Sequence, residues 1–176
     1  PEPTPGGPIE WQWRIRRNTW ATVRDEVIAP MSHGGRSLVV IDVGAGVGWL
    51  SNRLTELGHE AHAVDLTLDD DDGLGAARHF EHSFARYQAE MDALPFADGS
   101  ADLVVFNASL HYSTDYERTL REALRVLRPE GRVVVMETPI YGTDAAGRAM
   151  VTERHAAFEQ RFGTRSDSIS SIEYLT

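Results

Sequence analysis

The chain has 176 residues, a formal net charge of −10, 41% hydrophobic content and no cysteine. That length and apolar share suit one domain with one core, and disulfides are excluded. The acidic balance argues against a protein that grips nucleic acid through its phosphates, because such binding is driven by cations. All 17 cationic residues are arginine, which excludes lysine-dependent catalysis. No run of about eighteen apolar residues and no charged-then-apolar leader is found, so neither a membrane span nor a secretion signal is expected. The expectation is a cytoplasmic protein.

Residues 1–8 are rich in proline and glycine and read as a flexible lead-in to a single domain over residues 9–176. Residues 9–28 place Trp13, Trp20, Val23 and Val27 at near-helical spacing, which predicts an amphipathic helix ending before Pro30. The β-branched run at residues 39–43 predicts a strand, with Asp42 near its carboxyl end. Gly44, Gly46 and Gly48 then follow at alternate positions. Glycine is needed where backbone takes positive φ, or where a ligand lies directly on the main chain. A dinucleotide fingerprint would want a third glycine where Trp49 or Ser51 stands, which disfavours a nicotinamide-dependent oxidoreductase.

Trp49, Leu50, Leu54 and Leu57 predict a helix that Gly58 stops. The second strand, residues 61–65, ends in Asp65, about twenty residues beyond the glycines, the distance expected of a ribose-binding carboxylate. Such a carboxylate can accept from both ribose hydroxyls; the plainer alternative is that Asp65 caps the next turn. His59 and His62, flanking this strand, read as surface residues. The acidic run at residues 69–72 lacks the ligand spacing of a calcium loop, so an ordinary loop is expected, with Asp72 capping a helix over residues 74–82. The remaining histidines are scattered and no metal site is predicted. A third strand is read at residues 87–91 with Asp92 following, a fourth at 101–107, a helix and its turn at 121–131, and a fifth strand at 132–138. A helix over residues 144–162 stops at Gly163, and residues 171–175 offer one short extra strand.

The pattern Asp-x-Gly-x-Gly-x-Gly at residues 42–48, the acid at 65, the segment Met91-Asp92-Ala93-Leu94-Pro95-Phe96 and the ordered strands after it resemble class I S-adenosylmethionine-dependent methyltransferases. The wording is similar to the ubiquinone/menaquinone-biosynthesis-like (type 11) branch, over about residues 36–140. The resemblance implies a three-layer, Rossmann-like α/β fold with a mostly parallel sheet. It implies S-adenosylmethionine as cofactor, S-adenosylhomocysteine as product and a small-molecule acceptor. The implied cofactor residues are Asp42, Gly44, Ala45, Gly46 and Gly48 at the turn, Asp65 and Leu66 at the ribose, Met91, Asp92 and Ala93 at the adenine, and Asn107 and Ala108 after the fourth strand. A helix before the first strand covers the cofactor in that family, so Arg17, with Trp13 and Arg14, is a candidate for its methionyl end; core tryptophans and solvated arginines are the alternative.

Methyl transfer needs an activated donor held in line with a nucleophile, and a base only if the nucleophile must lose a proton. The segment at residues 107–112 is the natural place for that base. His111 is the candidate, its imidazole titrating near neutral pH, and Tyr112 could orient a substrate. Packing, or capping of the next helix, is the alternative for His111. The segment is not the Asn-Pro-Pro-Tyr type that acts on exocyclic amines of bases, and without cysteine the covalent C5-cytosine and radical routes are closed. The family sheet has seven strands and only five are legible here, so the chain is expected to lack the last strands and to be a piece of a longer protein. An uncovered sheet edge would then favour self-association. The runner-up is a domain that binds the cofactor or its product without catalysis.

Overall fold

The computed structural model describes residues 10–164 and 170–176. The expected lead-in at residues 1–8 lies outside them. The described residues fall into two compact units, one ending at Leu38 and the other running from Val39 to Thr176. No helix among the described residues is long and apolar enough to cross a membrane.

The first unit is helical. Helix α1 (Glu10–Val23) does not stop before Pro30 as the sequence suggested, but runs through a π-helical turn at Arg24–Ile28 into a last helical turn at Ala29–Met31. Proline has no N–H to give, and its ring crowds the carbonyl four residues back. The widened turn relieves this, since the Ala29 N–H reaches back five residues to the Arg24 carbonyl. Ser32 closes the end, its N–H and its hydroxyl donating to the Ile28 carbonyl at 2.9 and 2.8 Å.

The second unit holds five parallel strands, β1 (Val39–Val43), β2 (Glu60–Asp65), β3 (Ala85–Gln88), β4 (Ala101–Asn107) and β5 (Leu127–Met136), in the order β3-β2-β1-β4-β5. This is the Rossmann-like α/β fold expected. The chain winds from β1 outward to β2 and β3, then returns to place β4 on the other side of β1. Open α/β sheets bind ligands outside the carboxyl ends of the strands at such a switch point. Strands buried on both faces read as continuous apolar runs, and β1 and β4 do. Ile41, Val43, Val64, Val104 and Phe106 share one cluster with Ala123 and Val126 of helix α3 (Tyr116–Val126). Helix α2 (Trp49–Glu56) packs on the opposite face, where its Ser51 hydroxyl donates to Asp42 at 2.8 Å. Sheet and helices therefore make three layers.

Helix ends follow local chemistry. Gly58 has φ 85°, its N–H donating to the Thr55 carbonyl while His59 N–H donates to that of Leu54, the paired bonds of a left-handed helix stop. Asp115 caps α3 by accepting from Arg118 N–H at 3.1 Å. Helix α4 (Asp144–Phe162) is capped by Thr143 and ends at Gly163, φ 71°, with the predicted bounds.

Several expectations need correction. The third strand lies at Ala85–Gln88, three residues short of Met91, because pairing with β2 ends at Asp65↔Gln88. The segment after the acidic run is a 3₁₀ helix, Leu74–His79, without a side-chain cap; Asp69, not Asp72, organises the turn by accepting from the N–H groups of Asp71 and Asp72. His59 is buried rather than superficial. Strand β5 begins at Leu127 and is interrupted between Leu127 and Arg132, where Gly131 leaves no room for a Cβ against Leu127. Residues 171–175 form no strand of the sheet: a single bridge joins Leu175 to Ile140.

Candidate cofactor site

Three strand ends and one turn meet at the carboxyl edge of the sheet. The N–H groups of Gly44 and Ala45 both donate to the Val64 carbonyl, at 2.8 and 3.0 Å, which ties the end of β1 to the end of β2. Gly46 N–H donates to Asp65 Oδ2 at 2.7 Å, and Asp65 Oδ1 accepts from Thr67 N–H at 3.1 Å. The capping reading of Asp65 is thus part of the truth. A carboxylate has about four acceptor positions, so these two bonds leave it able to take hydroxyl donors as well.

The three glycines are required for different reasons. A Cβ at Gly44 would run into Ser109 Cβ after β4, and one at Gly48 would come within 2.6 Å of the Phe84 ring. A Cβ at Gly46 would meet nothing within 4 Å, so there the need is conformational, φ 54°, and the backbone faces open space. That half-buried peptide, open on its Cβ side beside the Asp65 carboxylate, is a cradle suited to a nucleoside. Leu66, next to it, is exposed.

Asp42 is fully buried, which pushes its carboxyl up to about 7 despite the bonds from Ser51; Oδ1 has no hydrogen-bond partner. On the far side, α3 holds the loop that carries Met91, Asp92 and Ala93. Arg125 donates to the carbonyls of Leu94 and Phe96 and pairs with Glu122, whose Oε1 accepts from Leu94 N–H at 2.7 Å. Arg118 Nε lies 3.0 Å from Asp92 Oδ2, Met91 packs on the core cluster, and Ala93 is exposed. Arg17 is an exposed residue of α1, in the first unit.

Backbone strain gathers after β4 and β5. Among the described residues the non-glycine residues with positive φ are Ala108 (54°), Glu137 (54°) and Glu173 (68°). Each such conformation costs on the order of 1–3 kcal/mol and persists where surroundings enforce it. Ala108 directly follows β4, its N–H bonded to the Met136 carbonyl, and Glu137 directly follows β5. Asn107 Oδ1, Thr138 Oγ1 and His111 Nδ1, at these same strand ends, are buried without hydrogen-bond partners. His111 is 7% exposed, and burial first, then the nearby Arg154 charge, hold its imidazole below the usual range, partly opposed by Glu173. Tyr112 is exposed, its ring 4.3 Å from that of His111 between centroids.

Sequence reasoning did not single out Glu137, Thr138 or Glu173. For Glu137 the signal was available: an acid ending an apolar strand is the cue that picked Asp65. Glu173 arrives from far along the chain. Its N–H donates to the His111 carbonyl at 2.8 Å, Ile172 N–H to that of Ser113 and Leu175 N–H to that of Pro139, so residues 172–175 form a strap across the exits of β4 and β5.

A parallel sheet with a glycine turn at its switch point and an acid ending the next strand defines a nucleotide-cradling α/β domain. The comparisons narrow the class. The model of the family described as Methyltransferase domain matches residues 41–135, and the chain belongs to that family. It is 35% identical over 100 residues to the malonyl-[acyl-carrier protein] O-methyltransferase of Erwinia pyrifoliae, covering 57% of this chain and 37% of that one. It is 33% identical over 108 residues to the ubiquinone/menaquinone biosynthesis C-methyltransferase UbiE of Klebsiella pneumoniae, covering 58% and 43%. The match thus spans less than half the length of either relative. Among solved structures, protein PH0226 of Pyrococcus horikoshii is 26% identical with a TM-score of 0.56, over 72% of this chain and 57% of that one. An S-adenosylmethionine-dependent methyltransferase of Mesorhizobium loti is 27% identical with a TM-score of 0.55, over 68% and 54%.

The buried acid gives a test of the site's electrostatics. A carboxyl with a folded value near 7 and an ordinary value of 3.8 binds its proton more tightly folded. Its contribution to stability is complete below about pH 4 and is lost as pH rises through 7, roughly 4 kcal/mol in all. Asp42→Asn should therefore gain stability relative to the unaltered chain between pH 5 and pH 8, read by urea denaturation at both pH values. An unchanged difference would show that Asp42 is ionised throughout.

Proposed function

We propose that the chain binds S-adenosylmethionine along the glycine turn and promotes transfer of its methyl group to a small-molecule acceptor, with S-adenosylhomocysteine as the product. The observation that carries this reading is the open Gly46 peptide bonded to the Asp65 carboxylate. The residues fit the cofactor: Gly44, Ala45, Gly46 and Gly48 present the turn, Asp65 can accept from ribose hydroxyls, and the Met91-Asp92-Ala93 loop offers an apolar and acidic edge for adenine. Leu66 and Asn107 flank that cradle, Ala108 shapes the exit of β4, and Asp42 braces the turn from below through Ser51. The O- and C-methyltransferases among the relatives support methyl transfer as the chemistry and leave the acceptor open.

When bound, the cofactor supplies an already activated methyl group. The protein's part is then to hold the acceptor in line and, where the acceptor carries a proton, to remove it. His111 is suited to this, because its lowered pKa keeps the imidazole neutral at pH 7. Tyr112 can orient the acceptor through its exposed ring. The place of work proposed is the cytoplasm. The strap over the β4 exit favours a second reading, a domain that binds the cofactor without transferring the methyl group.

Radiolabelled methyl from the cofactor, offered with a metabolite extract, should appear in small molecules. His111→Asn should lower kcat by ~10²–10⁴-fold and abolish an acid limb with its midpoint below pH 6.5, leaving the cofactor's KM unchanged. Cofactor binding with no transfer to any fraction would select the second reading. Among the described residues β5 pairs with β4 and with no other strand, so its edge is open for a second copy. Small-angle scattering should report a dimer; a monomer across the concentration series would refute that contact.

A further inference from the structure

The strap brings a carboxylate into the region where the acceptor is proposed to bind. Glu173 Oε1 lies 3.0 Å from the Arg154 guanidinium and 3.1 Å from His155 Nε2, both on α4. The Glu173 and His155 side chains are 15% and 16% exposed, whereas that of Arg154 is 39% exposed, so the guanidinium can be reached from solvent. The strap does not depend on this contact. It has the main-chain bonds of Ile172, Glu173 and Leu175, a bond from the Tyr141 N–H to the Leu175 carbonyl, and one from the Tyr116 hydroxyl to the Tyr174 carbonyl at 3.0 Å. The Tyr174 ring also lies so close to Gly147 that a Cβ there would strike it. The carboxylate is therefore separable from the anchor that delivers it, and it is delivered on a backbone with φ 68° beside the buried His111.

We propose that Arg154 and His155 form the anion site for the acceptor, that the acceptor carries a carboxylate, and that Glu173 occupies this site until the acceptor displaces it. The proposal rests on the methyl-transfer reading and concerns recognition only. Arginine takes carboxylates in strong charge-assisted hydrogen bonds, and a cationic acceptor would meet Arg154 as a like charge. Glu173 acts as an internal competitor, so an acceptor's apparent affinity falls by the fraction of time the pair is free.

The test is titration of the full chain with benzoate, and with benzamide as its neutral counterpart, each with and without S-adenosylhomocysteine. Run this way, failure of nucleotide binding and failure of the anion site are read separately. Glu173→Gln should bind benzoate about tenfold more tightly than the unaltered chain. Adding Arg154→Met should remove that gain, and benzamide should show none of it. In the unaltered chain, benzoate should shift the His155 imidazole and Glu173 amide resonances together. Equal benzoate affinity in Glu173→Gln, a gain that survives Arg154→Met, or benzamide binding as well as benzoate would each overturn the proposal.

Discussion

The hydrogen bond from the Gly46 N–H to the Asp65 carboxylate, 2.7 Å long, is the constraint on which the rest of the site depends. It ties the glycine turn after β1 to the acid ending β2, across the boundary where sheet gives way to loops. The two bonds from Gly44 and Ala45 to the Val64 carbonyl hold the same turn to the same strand end. A turn bound in this way presents its open backbone face at a fixed distance from a carboxylate, which is preorganisation for a ribose-bearing ligand. Only glycine permits it, because one of its three positions is crowded by Ser109, another by Phe84, and all three have positive φ.

The second constraint is strain at the exits of β4 and β5. Ala108 and Glu137 leave β4 and β5 with left-handed backbone, and the Ala108 N–H reaches across to the Met136 carbonyl. These kinks bring the polar ends of the two strands together, with Asn107, Thr138 and His111 carrying buried acceptor or donor atoms that lack partners. Buried polar groups without partners are costly and uncommon, and these three lie at one edge of one sheet. The sheet interior is apolar and tightly filled; its carboxyl edge is where the polar and strained groups lie. Fold stability and site chemistry thus occupy different levels of the same strands.

Much of this was legible in the sequence because its causes are local. Strand β4 and helix α4 have the expected bounds, β2 starts one residue earlier, and Gly58 and Gly163 stop helices as read. An unbroken apolar run or a glycine after a periodic stretch announces itself within a few residues. The misses at β5 and Glu173 have non-local causes, whereas the one at Pro30 lies in the turn just before it. Pro30 should end a helix on local grounds, and a π-helical turn upstream removes the clash. Strand β5 starts across Pro129 and Gly131 because Leu127 pairs with Ala101, a contact that no periodicity reveals. Glu173 reaches His111 by backbone bonds between segments some sixty residues apart, so its place beside the site had no signature in either stretch.

The central claim is a nucleoside site built on the turn and Asp65, and calorimetric titration with S-adenosylhomocysteine tests it most directly. The account predicts saturable single-site binding that stabilises the fold by about 2.7 kcal/mol at ligand 100-fold above Kd. It also predicts that Asp65→Ala, while remaining folded, loses that binding. A folded chain that takes up no ligand, or an Asp65→Ala chain that binds as the unaltered one does, would contradict it.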